Sequence, residues 1–215
     1  MTKVFYLNVS PLKDELVFEK FYNKVLADRK AIVDRYKLKK DKLLSLGGSI
    51  LLDYAMRVFN IEKENCLVEY GEFGKPSIKG SKNFNFSISH SGDYALLAVS
   101  DKKIGADIQE IKEFSENLSN YVLSHSEVKK VSSKEEFFKY FTAKESFAKF
   151  DGRGVSIGLK NVETKTENDK NLVYLNGEKQ DAQIYFFSLK NYAVSVCLPV
   201  SRDNFELIEV VLSQL

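Results

Sequence analysis

Strict alternation of polar and apolar residues in Lys103-Ile-Gly-Ala-Asp-Ile-Gln109 predicts a strand, and its period of two puts Asp107 and Gln109 on one face. Val4-Phe-Tyr-Leu-Asn-Val9 also reads as a strand at the start of the chain. From Asp41 to Phe59 the period changes: Leu43, Leu44, Leu46, Ile50, Leu51, Tyr54, Ala55 and Val58 recur at helical spacing. Gly47-Gly48 is tolerated inside that helix only where something packs close. Ser10-Pro11 opens an earlier helix that carries Leu12, Leu16, Phe21 and Val25. Strands are expected at Leu67 to Tyr70, Phe84 to Ser89 and Tyr94 to Ser100, the last two joined around Ser91-Gly-Asp93.

The second half repeats this arrangement. After a polar, helix-mixed stretch from Glu110 to Ser133, a helix runs from Lys134 to Phe150 behind the N-cap residues Ser132-Ser133, with Glu135 and Glu136 in its first turn. Asp151-Gly-Arg-Gly154 stops it. Strand-like segments follow near Val155 to Ile157, Leu172 to Leu175, Gln183 to Ser188 and Tyr192 to Cys197, with Asn176-Gly177 as a hairpin turn. The expected class is α+β, with two similar halves, 1–102 and 103–215, each a small, mainly antiparallel sheet packed with one long helix. A ligand cleft belongs between them.

Composition narrows the function. A chain of 215 residues that is 44% hydrophobic can bury a real core, and a formal charge of +2 is too small to announce nucleic-acid binding. The charge is uneven: Lys24 to Lys42 holds eight basic residues against Asp28, Asp34 and Asp41, which suits either a solvated helix face or a polyanionic ligand. Cys66 and Cys197 have no metal-ligand spacing, which fits a reduced, cytoplasmic interior. Neither a signal peptide nor a run of about eighteen apolar residues is found, so no membrane association is expected.

The chemistry-bearing residues cluster in four segments. On a helix, Glu145 and Lys149 of Phe141-Thr-Ala-Lys-Glu-Ser-Phe-Ala-Lys149 stack on one face, either as a surface ion pair or as part of a site. Asp107, a second oxygen donor and Glu145 suit Mg²⁺, which takes one or two carboxylates and completes its shell with water and phosphate oxygens. Gly105, two residues before Asp107, permits close approach of a ligand or another backbone. In Ser87-Ile-Ser-His-Ser91, the imidazole of His90 and the hydroxyl of Ser89 are donors suited to phosphate. Tyr70-Gly-Glu-Phe-Gly-Lys-Pro76 reads as a plain turn or as a loop that offers Lys75 to a phosphate.

Taken together, Gly71-Glu-Phe-Gly-Lys-Pro76, Phe86-Ser-Ile-Ser-His-Ser91, Ile104-Gly-Ala-Asp-Ile-Gln109 and Phe141 to Lys149 followed by Gly152-Arg-Gly154 resemble the 4′-phosphopantetheinyl transferases of the Sfp type. The resemblance covers most of the chain. It implies a monomeric pseudo-dimer of two α+β halves with the active site between them. The implied reaction moves the 4′-phosphopantetheine arm of coenzyme A to a serine of an acyl or peptidyl carrier protein and releases adenosine 3′,5′-bisphosphate. Carried over by motif, Asp107, Gln109 and Glu145 would hold Mg²⁺, with Mn²⁺ as an alternative, while Gln109 stands where bacterial relatives commonly carry Glu. His90, Ser89 and Lys149 would meet phosphate oxygens, Lys75 would sit near the adenosine, and Lys30, Arg35 and Lys42 would face the 3′-phosphate. Glu145, Lys149, Asp107 and His90 form the expected catalytic set, with Glu145 accepting the serine proton. Carrier docking is expected along 111–130, through Phe114, Leu118, Tyr121, Val122, Leu123, Lys129 and Lys130.

Overall fold

The computed structural model describes residues 1–62, 66–81, 83–201 and 205–215, and of Val155 the backbone only. The first sheet has the order β11-β1-β5-β4, built from β1 (Thr2–Asn8), β4 (Asn85–Ser91), β5 (Tyr94–Ser100) and β11 (Leu207–Glu209). All its pairings are antiparallel except β1 with β11, which is parallel. The second sheet is antiparallel, in the order β6-β10-β9-β8-β7, from β6 (Gly105–Glu110), β7 (Val162–Glu167), β8 (Lys170–Leu175), β9 (Glu178–Leu189) and β10 (Tyr192–Leu198). A small hairpin pairs β2 (Val68–Tyr70) with β3 (Pro76–Ile78).

Each large sheet carries a long helix. On the first lies α3 (Lys39–Val58), preceded by α1 (Glu15–Tyr22) and α2 (Ala27–Arg35). Its apolar stripe, including Leu43, Leu46, Ile50, Leu51 and Ala55, is buried against Phe5, Leu7, Leu97 and Val99. Gly47-Gly48 is where α3 presses onto the sheet: a Cβ on Gly47 would collide with Val9 Cγ1, and one on Gly48 would lie 2.8 Å from Ile88 Cγ2. On the second sheet lies α6 (Lys134–Asp151), whose N-cap Ser133 hydroxyl accepts from the Glu136 amide at 3.2 Å. Phe137, Ala143, Phe147 and Ala148 bury its inner face. Short helices α4 (Glu116–Val122) and α5 (His125–Val128) fill the stretch before α6.

A third apolar cluster lies between the sheets. Val4, Leu96 and Ala98 of the first meet Ala106, Ile108, Val194 and Val196 of the second, so β5 is buried along its whole length. This apolar contact joins the halves face to face and brings β4 beside β6.

Some expectations were displaced. The helix expected from Ser10 is a 3-10 turn, Ser10–Lys13, and α1 begins only after Asp14, whose Oδ1 accepts from the amides of Leu16 (2.9 Å) and Val17 (3.1 Å). Val155 to Ile157 forms a 3-10 turn, Gly154–Ile157, and not a strand. Strand β11 comes from the chain's last residues yet completes the first sheet, with Val210 and Leu212 buried in the first half's core.

Candidate active site between the two sheets

Strand β6 delivers Asp107, 1% exposed, and α6 delivers Glu145 and Lys149 one helical turn apart. Gly105 lets the two elements approach this closely. A Cβ there would overlap Ser146 O and Phe150 N, both backbone atoms of α6. The close approach allowed by that glycine is therefore made by the helix backbone.

Asp107 is the most heavily bonded carboxylate of the site. Its Oδ1 accepts from Lys149 Nζ at 2.7 Å and from Ser89 Oγ at 2.6 Å, and its Oδ2 accepts from Gln109 Nε2 at 3.2 Å. Lys149 Nζ also donates to Ala106 O at 3.1 Å. Glu145 differs sharply: its carboxylate makes no hydrogen bond among the described residues. Burial and then the neighbouring Asp107 charge push its carboxyl up to about 7, with Lys149 opposing the rise. His90 is half-buried, and its pKa is lowered by burial first and then by Lys149, which favours the neutral imidazole.

These groups line a cleft of about 480 Å³ between the halves. Asp107, Gln109, Glu145, Lys149, His90 and Phe141 form one end of the wall, and Arg29, Ile32, Tyr36 and Ser45 extend it across the first half. Arg29, only 6% exposed, donates through Nε to Ser49 Oγ at 3.1 Å. The buried Ser45 hydroxyl has no hydrogen-bond partner among the described residues. A buried guanidinium beside an unpartnered hydroxyl is a corner suited to an anion.

The structure distributes the other expected residues differently. Lys30, Arg35 and Lys42 do not line this cleft. Lys30 Nζ donates to Asn23 O at 3.2 Å and lies over the Tyr22 ring, while Arg29, one residue away on α2, faces inward. Sequence reasoning missed Arg29, although its spacing to Ile32 and Tyr36 marks one helical face. Lys75 lines an adjoining cavity of about 210 Å³ and ties the halves together, donating to Ile104 O at 3.0 Å and Phe150 O at 3.4 Å. Burial, and then Lys103, lowers the Lys75 pKa to about 8. Gln109 turns its nitrogen to Asp107, while its Oε1 accepts from Ser91 Oγ at 3.4 Å. Among the described residues no group of three His, Cys, Asp or Glu side chains is gathered as for a metal, and no helix is long and apolar enough to cross a membrane.

Comparison with known proteins identifies the family. Residues 103–197 match the model of the 4′-phosphopantetheinyl transferase superfamily, and residues 10–102 match that of the 4′-phosphopantetheinyl transferase N-terminal region. The chain is 30% identical over 208 residues to 4′-phosphopantetheinyl transferase gsp of Aneurinibacillus migulanus, covering 92% of this chain and 86% of that protein. It is 27% identical over 220 residues to 4′-phosphopantetheinyl transferase psf-1 of Bacillus pumilus, covering 96% and 94%. To 4′-phosphopantetheinyl transferase Sfp of Bacillus subtilis it is 27% identical over 158 residues, covering 70% of each. The chain belongs to the 4′-phosphopantetheinyl transferase family.

Proposed function

We propose that this protein transfers the 4′-phosphopantetheine group of coenzyme A to a serine of an apo acyl or peptidyl carrier protein, releasing adenosine 3′,5′-bisphosphate. Family membership supports the reaction, and one observation carries the site: Asp107, Glu145, Lys149 and His90, from three elements of two halves, converge on one cleft. Residues 1–102 would supply most of the coenzyme A wall, and 103–215 the carboxylates and catalytic helix. Both come from one chain, which suits a monomer. Two cysteines without a disulfide suit a cytoplasmic setting.

The donor set fits a hard divalent cation. An ionised carboxylate offers roughly four acceptor positions; Asp107 uses three and Glu145 none among the described residues. Burial first, and then the Asp107 charge, raise the Glu145 carboxyl toward neutrality even with Lys149 close by, so the carboxylate pair can take up further positive charge. Asp107 and Glu145 would therefore hold Mg²⁺, or Mn²⁺ in its place, with water and diphosphate oxygens completing the shell. When bound, the ion supplies charge neutralisation to the diphosphate.

The remaining work falls to the chain's own groups. The carrier serine oxygen forms a bond to the β-phosphorus of coenzyme A, and the bond from that phosphorus to the bridging oxygen breaks. Lys149 and neutral His90 donate to phosphoryl oxygens as charge builds there. Glu145 receives the serine proton directly or through a water; a carboxylate that also holds a cation is a weaker base, which favours the route through water. Arg29 and Ser45 form the anion corner for the 3′-phosphate, taking the role the family resemblance implied for Lys30, Arg35 and Lys42.

Carrier docking along 111–130 narrows to the residues that reach solvent. Phe114 stacks on Phe137 at 3.8 Å, Leu118 packs on the second core, and Val122 and Leu123 are buried. Tyr121, Val128, Lys129 and Lys130 are exposed and suit an acidic partner with an apolar patch. The direct test incubates the protein with apo carrier, coenzyme A and Mg²⁺ and weighs the carrier by intact mass spectrometry. A mass increment of one phosphopantetheine is expected; its absence with several apo carriers would refute the reading.

A further inference from the structure

Strands β4 and β6 are facing edges of the two sheets, and among the described residues no backbone ladder joins them. Alternate residues of β4 bridge the gap with hydroxyls instead. Ser87 Oγ accepts from Ala106 N at 3.0 Å, Ser89 Oγ from Ile108 N at 3.4 Å, and Ser91 Oγ from Glu110 N at 3.0 Å. Together the three serines satisfy every second amide of β6 from Ala106 to Glu110, as a partner strand's carbonyls would.

The protons of the three hydroxyls go to different places. Ser87 gives its proton to the backbone, at Ala106 O (3.5 Å); Ser89 gives its own to Asp107 Oδ1 (2.6 Å); Ser91 gives its own to Gln109 Oε1 (3.4 Å). A carbonyl in place of Ser89 would accept the same amide but has no proton to offer the carboxylate. With its oxygen held by Ser91, Gln109 must present its nitrogen to Asp107 Oδ2 (3.2 Å). The opposite orientation would set a carboxamide oxygen against an ionised carboxylate.

We propose that the serine row of β4 is a positioning device for Asp107: Ser89 grips Oδ1, and Ser91 acts on Oδ2 through Gln109, which serves Asp107 as a donor and not the cation as a ligand. The first half of the molecule thereby sets the carboxylate that the second half carries. This rests on the reading of Asp107 and Glu145 as the cation's carboxylates.

The test measures Mn²⁺ binding by electron paramagnetic resonance in the presence of coenzyme A and without carrier, so that no turnover is needed. Ser89→Ala should weaken Mn²⁺ binding ~10-fold, as loss of a partner to a ligating carboxylate does. Ser87→Ala removes an equivalent hydroxyl from the same junction without touching Asp107, and should lower the thermal midpoint while leaving Mn²⁺ affinity unchanged. Ser91→Ala and Gln109→Leu should each weaken binding, and the double variant should be no weaker than Gln109→Leu alone, because the two act in series. Ser91 is half-buried, so this arm stands even where Ser89→Ala does not fold.

Equal losses in Ser87→Ala and Ser89→Ala would reduce the row to a structural seam and overturn the proposal. Full affinity in Ser91→Ala beside a loss in Gln109→Leu would make Gln109 a ligand in its own right, which also overturns it. A wild-type protein that binds no Mn²⁺ with coenzyme A would instead refute the cation reading itself, and the positioning claim with it.

Discussion

Lys144 Nζ and Glu127 Oε2 pair at 2.5 Å, with side chains 0% and 4% exposed. The ammonium also donates to Val122 O at 2.9 Å and Leu159 O at 3.1 Å, which uses all three of its protons. Lys144 thus pins α5 and the end of α4 to α6, one residue before Glu145 faces the cleft. Removing one partner of a buried pair leaves the other charge stranded, at a cost of ~3–5 kcal/mol. Glu127→Leu should therefore be strongly destabilised in urea unfolding, and Glu127→Leu with Lys144→Met should recover much of the loss. A double variant no more stable than the single would show that packing dominates there.

Gly105→Ala is expected to be the most damaging single methyl in the molecule. Its Cβ would meet the α6 backbone at Ser146 and Phe150, atoms that cannot rotate away as a side-chain tip can. The helix must lift from β6, separating Asp107 from Lys149 and Glu145. A destabilisation of ~1–3 kcal/mol follows from overpacking of this kind, accompanied by loss of transfer that persists well below the thermal midpoint. Gly177→Ala, in the hairpin turn at φ +82°, costs local backbone strain but meets no neighbouring atom and lies outside the cleft lining, so it should leave transfer intact and serves as the control.

The two long helices were legible in the sequence because their apolar stripes run for five turns, as were β5 and β6, where strong alternation or turn chemistry marks the ends. Helix α2 was not. Its residues are mostly charged, and its two structural contributions, Val33 in the core and Arg29 toward the cleft, sit among solvated neighbours that hide the period. Strand β11 was invisible for another reason: its place is fixed by parallel pairing with β1, about two hundred residues earlier in the chain, and three residues carry no pattern. In the candidate site, the identities of Asp107, Glu145, Lys149 and His90 were readable from spacing and motif. Which atom of Gln109 faces Asp107, and whether Arg29 or Lys30 points inward, depends on rotation about helix and side-chain axes that only tertiary packing decides.

Arg29→Ala should raise KM for coenzyme A ~10- to 100-fold, as expected where a buried guanidinium meets phosphate at about 1.5–3 kcal/mol per charged hydrogen bond. The effect should fall to little with dephospho-coenzyme A, which lacks the 3′-phosphate. Lys30→Ala, whose ammonium faces Asn23 O and Tyr22, should change KM for either substrate by less than about twofold, in line with a surface charge. Steady-state kinetics with the two substrates decide between them. A penalty from Arg29→Ala that is equal for both would place this side chain elsewhere on the ligand or in the fold alone.

Glu145 makes the unliganded protein pH-sensitive in a defined direction. Its folded carboxyl sits near 7 against an ordinary value of 4.5, so the folded state holds an extra proton between those values. Stability from this group is complete below about 4.5 and is lost as pH rises through about 7, because the folded state must then carry a half-buried charge beside Asp107 that Lys149 only partly offsets. Glu145→Gln removes the titration, so its thermal midpoint should match the wild type near pH 5 and exceed it at pH 8 in the absence of divalent ions. Cation binding needs the deprotonated form, so apparent Mg²⁺ affinity of the wild type should climb with pH up to about 7 and level off above it, with a proton released on binding below that point. Calorimetry in buffers of different ionisation enthalpy measures that proton directly. A Mg²⁺ affinity flat from pH 5.5 to 8, together with coincident melting curves for wild type and Glu145→Gln, would mean that Glu145 is ionised throughout and that Asp107 does not oppose its charge.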